Sequence, residues 1–454
     1  METKLIDDEV HIGWIGRPLR KLVELAESSR RIVEDAEFLD YYRHQLDLLA
    51  QMCQEQQYLA IDPPPERKLL NISQQLPADL VLRCMSDSRL PCEVRASFAR
   101  LMLHLHVVRG SPLSAIRHAR LWTDITSEVK VQSYKTTSVK GYSDGGRARV
   151  GDQFAVDVLS TVEDYLSSLR DSFPSGPVLH SDAASVTHNK LTYEMVTLAK
   201  ALAQFGYYTF DNLLTLTKNL LNIVDNSPHS AHTARTMSHG MTMIHRVTQS
   251  MIGSGTRQIG DGVMKSSDKT SIEDSSKSKE SRQLLVKTKL TVAEILQFVM
   301  DVRRDYRITM ALSWFKHNFP CDEDGVLSKT ANINERMAHE LYEAIYQSSG
   351  HELHLDGGDG QLLLAILMQM TMSDYPPLTS IALKVLFRHF TQYQELLEDL
   401  KQVQLLVSSD DVENYRQVDR DLFILKNLTE KSELWVHGDR HHSMDGKDQE
   451  HDKT

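Results

Sequence analysis

The sequence predicts an all-α fold, an armadillo-like α-solenoid of stacked helices with long polar insertions. Three observations carry that prediction. Apolar residues recur at steps of three and four along most of the chain, the spacing of one helical face. No segment shows a convincing period-two alternation of the kind a half-buried strand requires. Short turns marked by Pro or Asp separate the helical segments, which is how stacked helical repeats are punctuated. The clearest stretch runs from Leu362 to Val436. Leu362 to Met368 is apolar throughout, Tyr375-Pro376-Pro377 turns, and Ile381 to Phe390 resumes.

Taken in order, residues 1–125 read as N-terminal helical repeats behind a polar lead-in. A short helix covers Leu19 to Ala26. Phe38, Tyr42, Leu46, Leu49 and Cys53 then form one apolar stripe. Asp62-Pro63-Pro64-Pro65 stops the helix, because prolines supply no amide donor and fix φ. Asp79 to Met85 and Cys92 to Val108 are further helices, the second with Val94, Phe98, Leu101, Leu105 and Val108 on one side. Leu113 to Trp122 is read as another. Met85-Ser86-Asp87 before Pro91 and Ala96 is echoed by Met372-Ser373-Asp374 before Pro377 and Ala382, a weak internal repeat. In both, a small alanine lets the second helix approach its neighbour.

Residues 126–150 are polar and Gly-rich, a loop. Residues 151–224 return to helical repeats, with Val158, Val162, Tyr165 and Leu169 in one row. A loop at 171–189 follows, and then an antiparallel pair, Leu191 to Phe205 and Phe210 to Val224, capped by Gly206. Residues 225–283 are rich in Ser and Lys and hold too little apolar surface to offset chain entropy, so they read as a disordered insertion. Residues 284–320 carry the longest signal, with Ile295, Val299, Val302, Tyr306 and Met310 on one stripe. At about 1.5 Å per residue this is a helix of roughly 54 Å, or a pair broken near Arg307. Residues 321–360 form an acidic, Gly-rich loop with one helix, Ile333 to Ile345. Residues 361–436 are C-terminal repeats. There Asp410 is the expected N-cap, with Glu413 reaching back, ahead of a stripe of Val412, Tyr415, Val418, Leu422, Leu425 and Leu428. The tail at 437–454 is polar and His-rich and reads as disordered. Phe98, Leu101, Ile295, Val299, Leu386, Phe387, Leu405, Leu422 and Trp435 are the expected structural core of the solenoid.

Whole-chain properties narrow the function. The 454 residues, 41% hydrophobic, are enough to bury a sizeable core. A net charge of -11 argues against a nucleic-acid partner, which needs a basic face. Cys53, Cys84, Cys92 and Cys321 include no C-x-x-C and read as reduced, packed thiols. The N-terminus turns acidic at Asp7-Asp8, where a signal peptide needs an apolar run. The longest apolar run, seven residues from Leu362, is far short of the about 20 a membrane span requires.

Candidate chemistry is thin. His351-Glu352-Leu353-His354 falls one residue short of H-E-x-x-H, lacks a third ligand and sits among glycines, so a metal-dependent hydrolase is the weaker reading. His104 and His106 lie two apart on a helix and point to different faces. Asp322-Glu323-Asp324 lacks the alternation of a calcium loop and reads as solvated acid. The sequons at Asn71 and Asn427 are idle in a cytosolic chain. No phosphate loop, nucleophile elbow or kinase signature is present. No catalytic, ligand-binding or metal residue and no cofactor is expected, and the chain does not read as an enzyme.

Several blocks resemble one family. Leu82-Arg83-Cys84-Met85-Ser86-Asp87, Arg95-Ala96-Ser97-Phe98, Leu101-Met102-Leu103-His104, Ala119-Arg120-Leu121-Trp122, Glu294-Ile295-Leu296-Gln297-Phe298, Leu386 to Phe390, Lys401 to Val407 and Glu430 to Val436 are similar to the inositol trisphosphate receptors. Order and approximate spacing agree along most of the chain, whereas 126–150 and 225–283 do not match clearly. The resemblance implies a fragment of a tetrameric calcium-release channel of the endoplasmic reticulum, from its cytosolic helical-repeat section. The β-trefoil, the basic ligand cluster and the pore are not in this sequence, so no ligand or pore residue carries over. The implied role is a coupling and regulatory link. Its implied partners are the other receptor domains, the homotetramer and regulatory proteins, with no nucleic acid and no membrane span in this chain. A free-standing α-solenoid adaptor that binds protein partners is the alternative.

Overall fold

The computed structural model describes residues 2–7, 9–14, 18–63, 71–108, 115–126, 152–172, 178–225, 269–319, 334–346 and 358–430. Residues 127–150 of the expected loop at 126–150, most of the insertion before Lys269, Cys321, the acidic run at 322–324, His351, His354, Trp435 and the tail lie outside them.

The chain is mostly helical, with two small sheets that the periodicity did not reveal. β1 (Glu2–Ile6) and β2 (Glu9–Gly13) form an antiparallel hairpin, and β3 (Arg20–Lys21) adds to β2. Asp7 turns the hairpin at φ 48°. Val10-His11-Ile12 does alternate, with Ile12 buried, but three residues are too short a window to separate from a polar lead-in.

α1 (Leu22–Ser28) and α2 (Val33–Met52) follow. Tyr42, Leu46 and Cys53 of the expected stripe are buried, while Phe38 and Leu49 pack at its margin. Tyr42 meets Phe98 at 6.3 Å and shares a 3.0 Å hydrogen bond with Thr3 of the hairpin. Two single-turn helices, α3 (Tyr58–Ile61) and α4 (Ile72–Gln75), precede α5 (Ala78–Ser86) and α6 (Cys92–Met102). Arg95 of α6 donates to the Met85 carbonyl at 2.9 Å, fixing the α5–α6 turn. The expected helix to Val108 changes pitch: Leu103–Val107 is a π-turn, closed by the Val108 amide on the Leu103 carbonyl.

Over residues 115–122 the structure departs from the helix expected from Leu113 to Trp122. Ala119–Leu121 is a strand, β4, running parallel to β5 (Gln404–Leu406), with Arg120 opposite Leu405. Such a pair is three residues long and 285 positions apart in register, beyond the reach of local patterning.

α7 (Asp152–Ser172), α8 (Val186–Gln204) and α9 (Phe210–Val224) form the middle. Gly206 ends α8 at φ 75°, where its amide meets the Ala203 carbonyl and the Tyr207 amide meets Leu202, a Schellman closure. α8 and α9 each pack on α7 and on the long helix that follows, more closely than on one another.

That helix, α10 (Lys269–Asn318), has 50 residues and spans about 75 Å, unbroken at Arg307. It begins inside the stretch expected to be disordered. Ser281 is fully buried, accepting from Asn189 at 2.8 Å and donating to the His180 carbonyl at 3.0 Å, so tertiary partners draw a polar segment into the helix. α11 (Glu335–Tyr346), α12 (Gly358–Thr371), α13 (Pro376–Gln402) and α14 (Ser409–Glu430) complete the chain. α12 and α13 pair across Met372-Ser373-Asp374 as α5 and α6 do across Met85-Ser86-Asp87, and Ala382 and Ala96 are both fully buried. The Lys401 to Val407 block is not one helix: α13 stops at Gln402. Ser408, not Asp410, caps α14, accepting from the Asp411 amide at 3.1 Å and donating to its carboxylate at 2.7 Å. Glu413 pairs with Arg420 at 2.8 Å instead of reaching back. One apolar core runs from Ile12 to Val385, with α8 and α10 at its centre.

Candidate functional site

The most elaborate chemistry among the described residues is a set of polar joints on α10. Asp301, Arg304, Asp305, Thr309, Ser313 and Lys316 follow steps of three, one, four, four and three, which puts them along one side of the helix. A polar row this deep in a core is costly unless each group is paired.

The first joint holds residues 115–126 to α10. Asp305 is fully buried. Its Oδ1 accepts from the Arg117 amide at 2.9 Å and from Arg120 Nη2 at 2.6 Å, and its Oδ2 accepts from Arg117 Nη2 at 2.8 Å. Arg120 also donates to Thr309 at 2.6 Å and to the Arg117 carbonyl at 3.0 Å. Farther along, Ser313 donates to the Thr126 carbonyl, and Lys316 donates to the carbonyls of Trp122 and Ile125, each at 2.7 Å. Lys316 Nζ lies 5.0 Å from the centre of the Trp122 ring.

The second joint holds α13 to α10. Arg304 pairs with Asp301 at 3.1 Å, with Asp399 at 2.9 Å and with Glu395. Arg388 pairs with Asp301 and, at 3.3 Å, with Glu395. Burial opposes the charge on Arg388, yet the two carboxylates hold its pKa above the ordinary value. Arg307 donates to Gln392 at 2.8 Å and stands 4.4 Å from the centre of the Tyr346 ring, bringing in α11. His118 lies 3.8 Å from Asp399 and connects the two joints, while β4–β5 bridges the same elements through the backbone. The cavity beside Arg304 and Arg388 measures about 20 Å³, room for a water and not for an organic ligand.

A third joint ties α2, α6 and α8. Arg100 donates to Glu194 and, at 3.0 Å, to Asp47. Burial pushes the Glu194 carboxyl up, and Arg100 works against that push. Arg100 also combines with burial to hold the neighbouring His104 below the ordinary imidazole value.

The expected core residues divide. Phe98, Leu101, Ile295 and Val299 are buried. Leu386 packs at the margin of the core, and Leu405 is half-buried in β5. Phe387 and Leu422 stand outside it, 64% and 59% exposed. α13 turns Leu378, Ala382, Val385 and Leu396 inward, which puts Phe387 on the far side. His104 and His106 are not brought into a joint site: His106 is buried with Nε2 3.0 Å from the Leu76 carbonyl. Among the described residues no group of three or more His, Cys, Asp or Glu is placed to hold a metal. No described helix is long and apolar enough to cross a membrane.

Sequence reasoning passed over Asp305, Arg117 and the arginines of α10. Asp301-Val302-Arg303-Arg304-Asp305 set within an apolar stripe was the available signal, since charges there need partners.

No protein-family model matches the chain. It is 66% identical over 450 residues to the inositol 1,4,5-trisphosphate receptor itr-1 of Caenorhabditis elegans, a match covering 99% of this chain and 15% of that receptor.

Proposed function

The chain belongs to the inositol trisphosphate receptor family, and on that premise we propose that it is a cytosolic coupling segment of a calcium-release channel. It spans 15% of the length of the curated relative it matches, so the activity belongs to a larger protein. In this reading the segment is an armadillo-like solenoid on the cytosolic face of the endoplasmic reticulum membrane. It contains neither the ligand pocket nor the pore, and it catalyses nothing. It joins other domains of the receptor within a homotetramer and offers surface to regulatory proteins.

The observation that supports the relay is the pair of joints on α10. A close-packed helix with paired buried charges moves as a body, because its neighbours have discrete seats and do not deform continuously. Movement delivered to residues 115–126 would be carried by Asp305 to α10 and by Arg304 and Arg388 to α13.

The test uses the full-length receptor carrying Asp305→Asn or Arg120→Met. Inositol trisphosphate binding should stay intact, while calcium release at a given occupancy falls. Normal release, with residues 115–126 shown to be detached by amide exchange, would remove the relay.

A further inference from the structure

Among the described residues two helix faces are apolar, regular and uncovered. On α14, Tyr415, Val418, Leu422 and Leu425 step by three, four and three, and each is 41% to 59% exposed. On α13, Leu383, Phe387, Phe390 and Leu397 step by four, three and seven, at 38% to 67% exposed. Isolated apolar side chains on a surface are ordinary, but a row that alternates steps of three and four is a seam that seats another helix. α14 buries Val412 alone among its described side chains. A helix draws most of its stability from a packed face, and α14 has that face without its cover.

We propose that these seams dock amphipathic helices of the same receptor polypeptide, from outside these 454 residues. The inference rests on the chain being a receptor segment, and it names what that segment packs against. Length supports this occupant: with the aligned residues making up 15% of the related receptor, most of such a polypeptide lies elsewhere. The character of the face supports it too. A stack that stops needs a polar outer layer, and the exposed row of α14 is apolar. The helix carries six acids, Asp410, Asp411, Glu413, Asp419, Asp421 and Glu430, against Arg416, Arg420 and Lys426. The complementary helix therefore has an apolar row at the same three-and-four spacing, flanked by Lys and Arg.

Amide hydrogen exchange on the full-length receptor and on the 454-residue chain tests this. The expected result is exchange over 412–428 slowed at least about tenfold in the receptor relative to the chain, with α8 equally protected in both. Leu422→Asp in the receptor should abolish the added protection and leave α8 unchanged. Equally fast exchange in both proteins would overturn the proposal, since nothing would cover the seam. Equally slow exchange in both would also overturn it, since α14 would be folding back on α13. Protection of the chain that rises with its own concentration would assign the seam to a second copy. Calcium release by the Leu422→Asp receptor keeps the two readings apart: the relay runs through α10 and α13, so lost protection with normal release supports the docking face and leaves the relay to the Asp305→Asn receptor.

Discussion

α8 and α14 are helices of 19 and 22 residues, each with an apolar row at helical spacing, and they end in opposite environments. α8 buries twelve residues, among them Asn189, Thr192 and Glu194, with α6, α7 and α10 around it. α14 buries Val412 alone among its described side chains. Periodicity fixes the helix and the face that seeks cover. Whether cover arrives depends on what else is in the chain. α8 also has Ala199, Ala201 and Ala203, all buried, which let neighbours approach from several sides. α14 has charged residues around the rest of its circumference, so only one side can be covered.

Substitutions sharpen this contrast. The largest effect is expected in the packed core around α6. Phe98→Ala, at a fully buried site on α6, should cost about 4 kcal/mol in denaturant unfolding of the 454-residue chain. Asp305→Ala comes next, at about 3 kcal/mol, because two arginines would lose the carboxylate they face. A smaller effect follows pH. Burial and Arg100 hold His104 below its ordinary pKa, so on acidification the unfolded chain takes up this proton first. Stability should therefore fall as pH drops below about 6.5, and His104→Gln should flatten that part of the profile. The smallest effect is expected on the uncovered helix. Leu422→Ala should change stability by less than about 0.5 kcal/mol in this chain. A loss there as large as at Phe98 would erase the contrast between the two helices.

The helices themselves were legible because their stripes are local. The Schellman turn at Gly206 and the Pro91 and Pro377 helix starts were legible for the same reason. β4–β5 was not, because residues 119–121 and 404–406 define each other only after the chain has folded. Nor was the start of α10. Its Ser- and Lys-rich turns have no apolar row, and Ser281 becomes helical core through Asn189 and the His180 carbonyl. At α14 the serine before the expected cap won, because Ser408 and Asp411 satisfy each other. The joints were half legible: Asp301 to Arg307 announced buried charge, but no local rule paired Asp305 with Arg117 and Arg120 from almost two hundred positions away.

α10 is one continuous beam with the joints fastened along it. Native-state amide exchange across Leu284 to Lys316, followed with increasing denaturant, addresses it directly. Amides on both sides of Arg307 should merge into a single opening of the same free energy, and Asp305→Ala should lower both sides together. Two separate openings divided near Arg307, with only the N-terminal one responding to Asp305→Ala, would show two helices meeting at a hinge and would contradict it.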